Sequence, residues 1–505
     1  MDVILQKKNE LKNMDESVEQ IDPTKELTTE IIKTRAVKGA AILTGRMILM
    51  QGISFFSMAF LTAFLSPAEF GVYFVVSAVK NFLAYFGDIG FAPALIQKQE
   101  NPTDLELKTI FTAQQLLILI LLVIGFLFTF LIQNIYNLNQ KAIYLFWALL
   151  FSLLFSSLKT IPTVLLERKL EFNKWVIPQI AENIIFNLTA VTLAWKGFGV
   201  TSYTVAVLLS GFIGLFITYI VQPWLPGIAF SINAFKSILK FGIPYQANTL
   251  LAMVKDDGMI LFLGGVLGPS GVGFLGWAQK WAYAPLRFFM DQVIKVTFPA
   301  FSRLQGNRKD LSDLVSKSIF FICILVFPSL VMLVLVAPSL VQVIPKYIKW
   351  SPAIFALSVL TINSGLAAIT TPLTNTLNAI GKITLTFKLM IMWTTLTWIF
   401  VPALAMLYGI NGAAVGFAIV GSSSVIALYL VSKHVDINYL QSVGKPILAS
   451  IFMGACVLII RSLFSVSWQQ IIGMIVVGLI SYSLTIFMLE PKLPLLIKNQ
   501  FSRKR

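Results

Sequence analysis

The chain has 505 residues, of which 57% are hydrophobic and only 12% charged, where a soluble domain carries about 25% charged residues. That balance excludes a soluble globular protein and predicts an all-α polytopic membrane protein. The net charge of +16 is spread over short loops rather than gathered in a patch, which excludes nucleic acid as a partner and fits topology signals at a membrane surface.

Taken in chain order, residues 1–38 form a polar tail of mixed sign, partly helical or disordered, with no apolar stretch of the kind a cleavable signal peptide needs. Apolar runs follow at roughly 39–65, 72–97, 108–132, 141–166, 173–195, 200–222, 238–265, 271–298, 314–337, 352–379, 382–408, 412–432, 445–463 and 467–489. Each is long enough to cross a bilayer, since a spanning helix needs ~20 mostly apolar residues. The pattern predicts about 14 transmembrane helices: an N-lobe over 39–230, a C-lobe over 231–435, two further spans over 436–490 and a basic tail over 491–505.

Loop charge predicts the orientation. One side collects Lys25, Lys33, Arg35, Lys38, Lys98, Lys108, Arg168, Lys169, Lys174, Lys236, Lys240, Arg303, Arg308, Lys309, Lys382, Lys388, Lys433, Lys445 and the C-terminal cluster Lys492 to Arg505. The other side has Lys141, Lys196, Lys346, Lys349 and Arg461. The positive-inside rule places the first set, and with it both termini, in the cytoplasm.

The sequence repeats itself. Leu65-Ser66-Pro67-Ala68-Glu69-Phe70-Gly71 and Leu267-Gly268-Pro269-Ser270-Gly271-Val272-Gly273 both read L-x-P-x-x-x-G, about 202 positions apart, at the same point of two six-span blocks. A weaker echo pairs Gly197-Phe198-Gly199 with Gly409-Ile410-Asn411. Six spans per block is an even number, so the two halves share an orientation and are related by an axis along the membrane normal.

Ionisable residues interrupt the apolar runs. The eighth, GVGFLGWAQKWAYAPLRFFMDQVIKVTFP, places Lys280, Ala284, Arg287 and Asp291 on one stripe at about 100° per residue, with Pro285 expected to kink the helix or free a carbonyl. Further charges are Arg46, Lys80, Asp88, Lys159, Glu182 and the consecutive Lys255, Asp256 and Asp257; Lys255 shares a helix face with Asn248, and Asp257 one with Gln246. A charge facing hydrocarbon costs at least ~2.5–3.5 kcal/mol, so these side chains are expected to line protein or a wet cavity. Local ion pairing, Lys80 with Asp88 or Arg287 with Asp291, is the bland alternative. The surplus of cations favours an anionic headgroup instead, with Arg46, Lys80, Lys159, Lys255, Lys280 and Arg287 as its ligands, since lysine and especially arginine suit phosphate. Asp88, Glu182, Asp256, Asp257 and Asp291 are then coupling or ion-pair carboxylates. Trp277, Trp281 and Tyr283 are placed to stack on sugar rings, although packing explains any one of them better. Cys323 and Cys456 lie in separate apolar runs and read as core residues; His434 is the single histidine, so no metal or other cofactor is expected.

With its spans in 6+6+2 order, and with LSPAEFGVYFVVSAVKNFLAYFGDIGFAPALIQK, VLLERKLEFNKW and GPSGVGFLGWAQK followed by FPAFSRLQ, the chain resembles the polysaccharide-transport family. That family belongs to a superfamily of multidrug exporters and oligosaccharidyl-lipid flippases. The resemblance implies two lobes around a cationic cavity, alternating access, and movement of an undecaprenyl-pyrophosphate-linked glycan across the bacterial inner membrane. It also implies a non-enzymatic protein whose partners are the lipid-linked glycan, the membrane, and a polysaccharide polymerase and glycosyltransferases of one pathway. Two readings compete: a proton- or sodium-coupled exporter of cationic drugs from the same superfamily, and a membrane glycan polymerase, for which the short loops and the lack of D-x-D speak poorly. The acidic residues Asp256 and Asp257 lie several positions before Gly264-Gly265, a departure from the family pattern.

Overall fold

A computed structural model describes residues 29–88, 90–98 and 100–491. The remaining tail residues, including Lys25 and the C-terminal cationic cluster, lie outside the described residues, as do the side chains of Lys33, Arg35, Lys240, Gln246 and Asn248. The described residues are helical throughout, with no strand. In order the helices are α1 (Thr29–Phe64), α2 (Pro67–Gly87), α3 (Phe91–Gln97), α4 (Asp104–Leu127), α5 (Thr129–Tyr136), α6 (Gln140–Leu158), α7 (Thr160–Arg168), α8 (Phe172–Trp195), α9 (Thr201–Val221) and α10 (Ile232–Arg303). They continue with α11 (Arg308–Val343), a 3₁₀ segment (Pro345–Ala353), α12 (Ile354–Ala379), α13 (Ile383–Ser422), α14 (Ser424–Ser432), α15 (Lys445–Leu463) and α16 (Trp468–Leu489).

Twelve stretches among the described residues are long and apolar enough to cross a membrane. Two of them, Leu250–Asp291 and Ile383–Ser432, are 42 and 50 residues long, or about 63 and 75 Å at 1.5 Å per residue, roughly twice a ~30 Å hydrocarbon core. Each bends at a glycine in the left-handed region, Gly268 (φ 65°) and Gly409 (φ 61°), which a residue with a Cβ rarely adopts. The expected count of about fourteen crossings corresponds to twelve helical stretches, two of them folded back at glycine. Inside α10 only Gly268 leaves helical φ/ψ. Pro285 therefore does not break the helix; its missing N–H still leaves the Trp281 carbonyl without its usual donor. The second expected span does break, at Asp88 and at Gly90 (φ 74°), and the helix of the first already includes Thr29, ten residues ahead of the apolar run.

The repeated motif shows why it repeats. Ser66 caps α2, with Pro67 in its first turn, and Glu69 completes a capping box by accepting from the Ser66 backbone N–H at 2.7 Å. In the second copy the left-handed turn at Gly268 does the same job of reversing the chain. The two copies then pack on each other reciprocally: a Cβ on Gly71 would stand 1.6 Å from the Pro269 carbonyl oxygen, and one on Gly273 1.8 Å from that of Pro67. Only glycine permits that backbone contact. It seats α2 directly on α10, and the main apolar cluster runs along this seam through Phe70, Val75, Val272, Leu275, Trp277, Trp350 and Leu360. A second cluster, with Leu286, Ile319, Leu373 and Val431, lies entirely beyond residue 285 at the opposite end. We call these the turn end and the tail end.

Candidate functional site: charged residues beneath a closed seam

The roof of the site is the end of α1. Its last carbonyls lack the usual helical donors: Pro67 has no N–H to offer Ala63, and the Ser66 N–H that would reach Thr62 is committed to Glu69. Donors come instead from the 3₁₀ segment some 290 residues later. Lys349 Nζ donates to Ala63 O at 2.8 Å and Trp350 Nε1 to Thr62 O at 2.8 Å, while Tyr347 Oη donates to Ala59 O at 2.6 Å. Trp350 is fully buried, stacked on Trp277 at 5.0 Å, whose own Nε1 donates to Thr62 Oγ1 at 3.0 Å. Trp277 is thus a packing residue and is not available to stack on a sugar. Trp281, one turn further, meets Phe55 edge-on at 5.2 Å.

Charges gather below this roof. Lys80 sits about 20 Å along α2 from Pro67, within electrostatic reach of Asp257 on α10 and of Lys159. Its neighbour Asn81 donates to Asp257 Oδ1 at 3.0 Å. Lys255 pairs with Asp256. Across the bend, the Tyr283 hydroxyl accepts from Asn363 Nδ2 at 2.6 Å and feels both Asp256 and Arg287. Lys280 lies within reach of Arg287; both are exposed, Asp291 is half-buried, and the buried Ala282, Leu286 and Met290 occupy the other side of the helix. The predicted stripe therefore faces away from the core.

Neither expected local ion pair forms. Arg287 and Asp291 make none among the described residues; a cation four residues ahead of an anion is the less favourable order on a helix. Lys80 and Asp88 are about 12 Å apart along the axis, and Asp88, past the end of α2, accepts from the Phe91 N–H at 3.0 Å, ahead of α3.

Of the remaining predicted residues, Asp88, Lys159 and Glu182 line a cavity of about 250 Å³ inside the first half, with Glu167, Trp175 and Gln179 also in its wall. Lys159, at the junction of α6 and α7, pairs with Glu182 on α8. Glu182 fits because α9 presents Gly214: a Cβ there would stand 1.6 Å from Glu182 Oε1. Arg46 lies over the Trp175 ring at 5.1 Å and donates from Nε to Met50 Sδ at 3.3 Å. Burial pushes the Glu167 carboxyl above its ordinary range and pulls the Arg168 guanidinium down. Of the six predicted cations, Lys159 and Lys255 hold carboxylates and Arg46 an indole. Lys80, Lys280 and Arg287 make no ion pair among the described residues.

Sequence reasoning passed over Tyr347, Lys349 and Trp350, which it used only as loop charges and composition, and Gly214 and Arg168. A signal existed for the first group: a helix followed at once by Ser-Pro must find outside donors for its last carbonyls.

The sequence profile of a family described as "Polysaccharide biosynthesis protein" matches residues 60–354. The chain is 24% identical over 416 residues to lipopolysaccharide biosynthesis protein WzxC of Escherichia coli K12, covering 79% of this chain and 81% of that one. It is also 24% identical to succinoglycan biosynthesis transport protein ExoT of Rhizobium meliloti over 317 residues, 62% of this chain and 63% of that one. In fold it is similar to lipid II flippase MurJ, inward closed conformation, with TM-score 0.74 at 18% identity over 90% of this chain and 99% of that one. A MATE family multidrug resistance transporter of the MOP superfamily, inward-facing, gives TM-score 0.60 at 16% identity, over 78% and 97%. At these identities the structural likeness establishes the shared fold.

Proposed function

This chain belongs to the polysaccharide biosynthesis protein family, and from that membership we propose that it is a flippase for a polyprenyl-pyrophosphate-linked oligosaccharide or polysaccharide repeat unit. It works in the bacterial inner membrane by alternating access, with both termini in the cytoplasm. The observation that carries the reading is the placement of Lys80, Lys280 and Arg287. They come from both halves of the repeat, lie below the sealed turn end, and make no ion pair among the described residues, although Asp257 lies within electrostatic reach of Lys80. Such cations suit a diphosphate, and Arg287 offers it a planar fork of donors. The glycan and headgroup pass through the cleft while the polyprenyl chain stays in lipid.

Export of cationic drugs fits less well. That chemistry needs free carboxylates, and four of the five predicted ones, Glu182, Asp256, Asp257 and Asp88, are engaged by Lys159, Lys255, Asn81 and the Phe91 N–H, which leaves Asp291 alone for it.

The test compares Arg287→Ala, Arg287→Lys and the double change Arg287→Ala with Asp291→Ala, reading glycan export per inserted protein. Loss of one charge-assisted contact, ~1.5–3 kcal/mol, lowers affinity about ten- to a hundredfold. Arg287→Lys should keep part of the activity and the double variant should stay as impaired as Arg287→Ala. Restored export in the double variant would refute substrate binding by Arg287.

A further inference from the structure

Arg168, in the last turn of α7, donates to a run of backbone carbonyls and makes no ion pair among the described residues. Its Nη1 reaches Leu95 O at 2.5 Å, Lys98 O at 2.7 Å and Ile96 O at 3.3 Å, and its Nη2 reaches Glu100 O at 2.9 Å. These are the carbonyls at and beyond the end of α3, a helix of seven residues. Of the four carbonyls that a helix leaves without internal partners at its C-terminus, the Lys98 N–H takes that of Ala94, and Arg168 serves two of the rest, Leu95 and Ile96. The guanidinium supplies several at once in fixed directions, which an ammonium cannot. At its other end α3 is anchored by Asp88 through the Phe91 N–H, and Asp88 lines the 250 Å³ cavity.

Once clamped, α3 serves as a pad. Phe91 and Leu95 are fully buried with Ile161 and Val164 of α7 and Leu107 and Ile110 of α4. The chain entering the second half of the repeat rests on this cluster: Trp224 lies 5.2 Å from Phe111 and Phe235, at the start of α10, 6.3 Å from Phe91. The linker is pinned beside it, with the N–H groups of Ala229 and Ser231 donating to the hydroxyls of Thr112 and Thr109 at 3.2 and 3.1 Å. Ser231 then caps α10.

We infer that Arg168 is a positioning residue: it holds α3 as the pad on which the first limb of α10 pivots, and so sets the spacing of the two halves at the tail end of the cleft. This rests on the alternating-access reading above only for its effect on transport; the spacing itself is a property of the protein at rest.

The experiment labels Gln97 on α3 and Lys236 on α10, both exposed, with spin labels on introduced cysteines. Cys323 and Cys456 are replaced by serine and the protein is held in nanodiscs. Double electron–electron resonance should give a narrow distance distribution with Arg168 in place. Arg168→Ala should broaden it, Arg168→Lys should recover it in part, and Phe235→Ala, which removes the resting contact while leaving the clamp, should broaden it as well. Glycan export per inserted protein should fall on the order of tenfold in Arg168→Ala, as for loss of one charge-assisted contact. An unchanged narrow distribution in Arg168→Ala overturns the inference. So does broadening with undiminished export, which would leave Arg168 a purely structural clamp. If the unaltered protein exports no glycan, the functional reading fails while the distance result still decides the pivot.

Discussion

Opening the turn end must break the ties from the 3₁₀ segment to α1, so weakening those ties should expose the cleft from that side. The perturbation is the double change Lys349→Met with Trp350→Phe. Phenylalanine keeps an aromatic ring between Trp277 and Phe70 but cannot donate to Thr62 O; methionine keeps the length of the lysine stem but cannot donate to Ala63 O. A neutral hydrogen bond contributes ~0.5–1.5 kcal/mol and a charged one ~1.5–3 kcal/mol net. The closed arrangement therefore loses about 2–4 kcal/mol, which at ~1.4 kcal/mol per decade shifts the balance roughly 30- to 1000-fold toward opening. The assay is the rate at which an impermeant thiol reagent, added outside intact cells, modifies a cysteine in place of Ser57. That residue is buried on α1, about 8 Å below Thr62, and the two native cysteines are replaced by serine. Labelling should accelerate by at least tenfold. An unchanged rate, with Trp350→Phe and Lys349→Met both present in inserted protein, would refute the idea that these bonds hold the turn end shut.

Two further outcomes follow from the cavity in the first half. Gly214→Ala should push Glu182 away from Lys159 and lower thermal stability by about 1–3 kcal/mol, below the 3–5 kcal/mol of a fully buried broken pair because Lys159 and Glu182 are 17% and 28% exposed; an unshifted melting temperature in detergent would show that Glu182 does not need the space. Glu167 has a raised carboxyl pKa, so the folded state binds its proton more tightly than the unfolded chain, and its burial destabilises the fold most at high pH. Glu167→Gln should therefore raise the melting temperature at pH 8, with the gain shrinking as pH falls through the raised pKa; a gain that grows on acidification would contradict the assignment.

The sequence by itself determined the order and the approximate number of the apolar helices, because hydrocarbon demands ~20 apolar residues per crossing whatever the neighbours are. It determined the repeat, because Pro67 and Pro269, with Gly71 and Gly273, are local chain-reversal chemistry readable in one dimension. It also determined that Lys280, Arg287 and Asp291 share one face of their helix, since helical periodicity fixes which residues lie together; that this face turns away from the core came from the structure. What it could not determine was pairing. Whether Lys159 is free or held by Glu182 depends on α8 and on Gly214 of α9, more than 50 residues away, and whether Arg287 meets Asp291 depends on side-chain order within one turn. The reciprocal contact of Gly71 with Pro269, the capping of α1 by Lys349 and Trp350, and the grip of Arg168 on α3 all join segments distant in sequence. Each supplies a donor, or room for an atom, to a backbone group whose need is local but whose partner is not, and only the tertiary structure brings the two together.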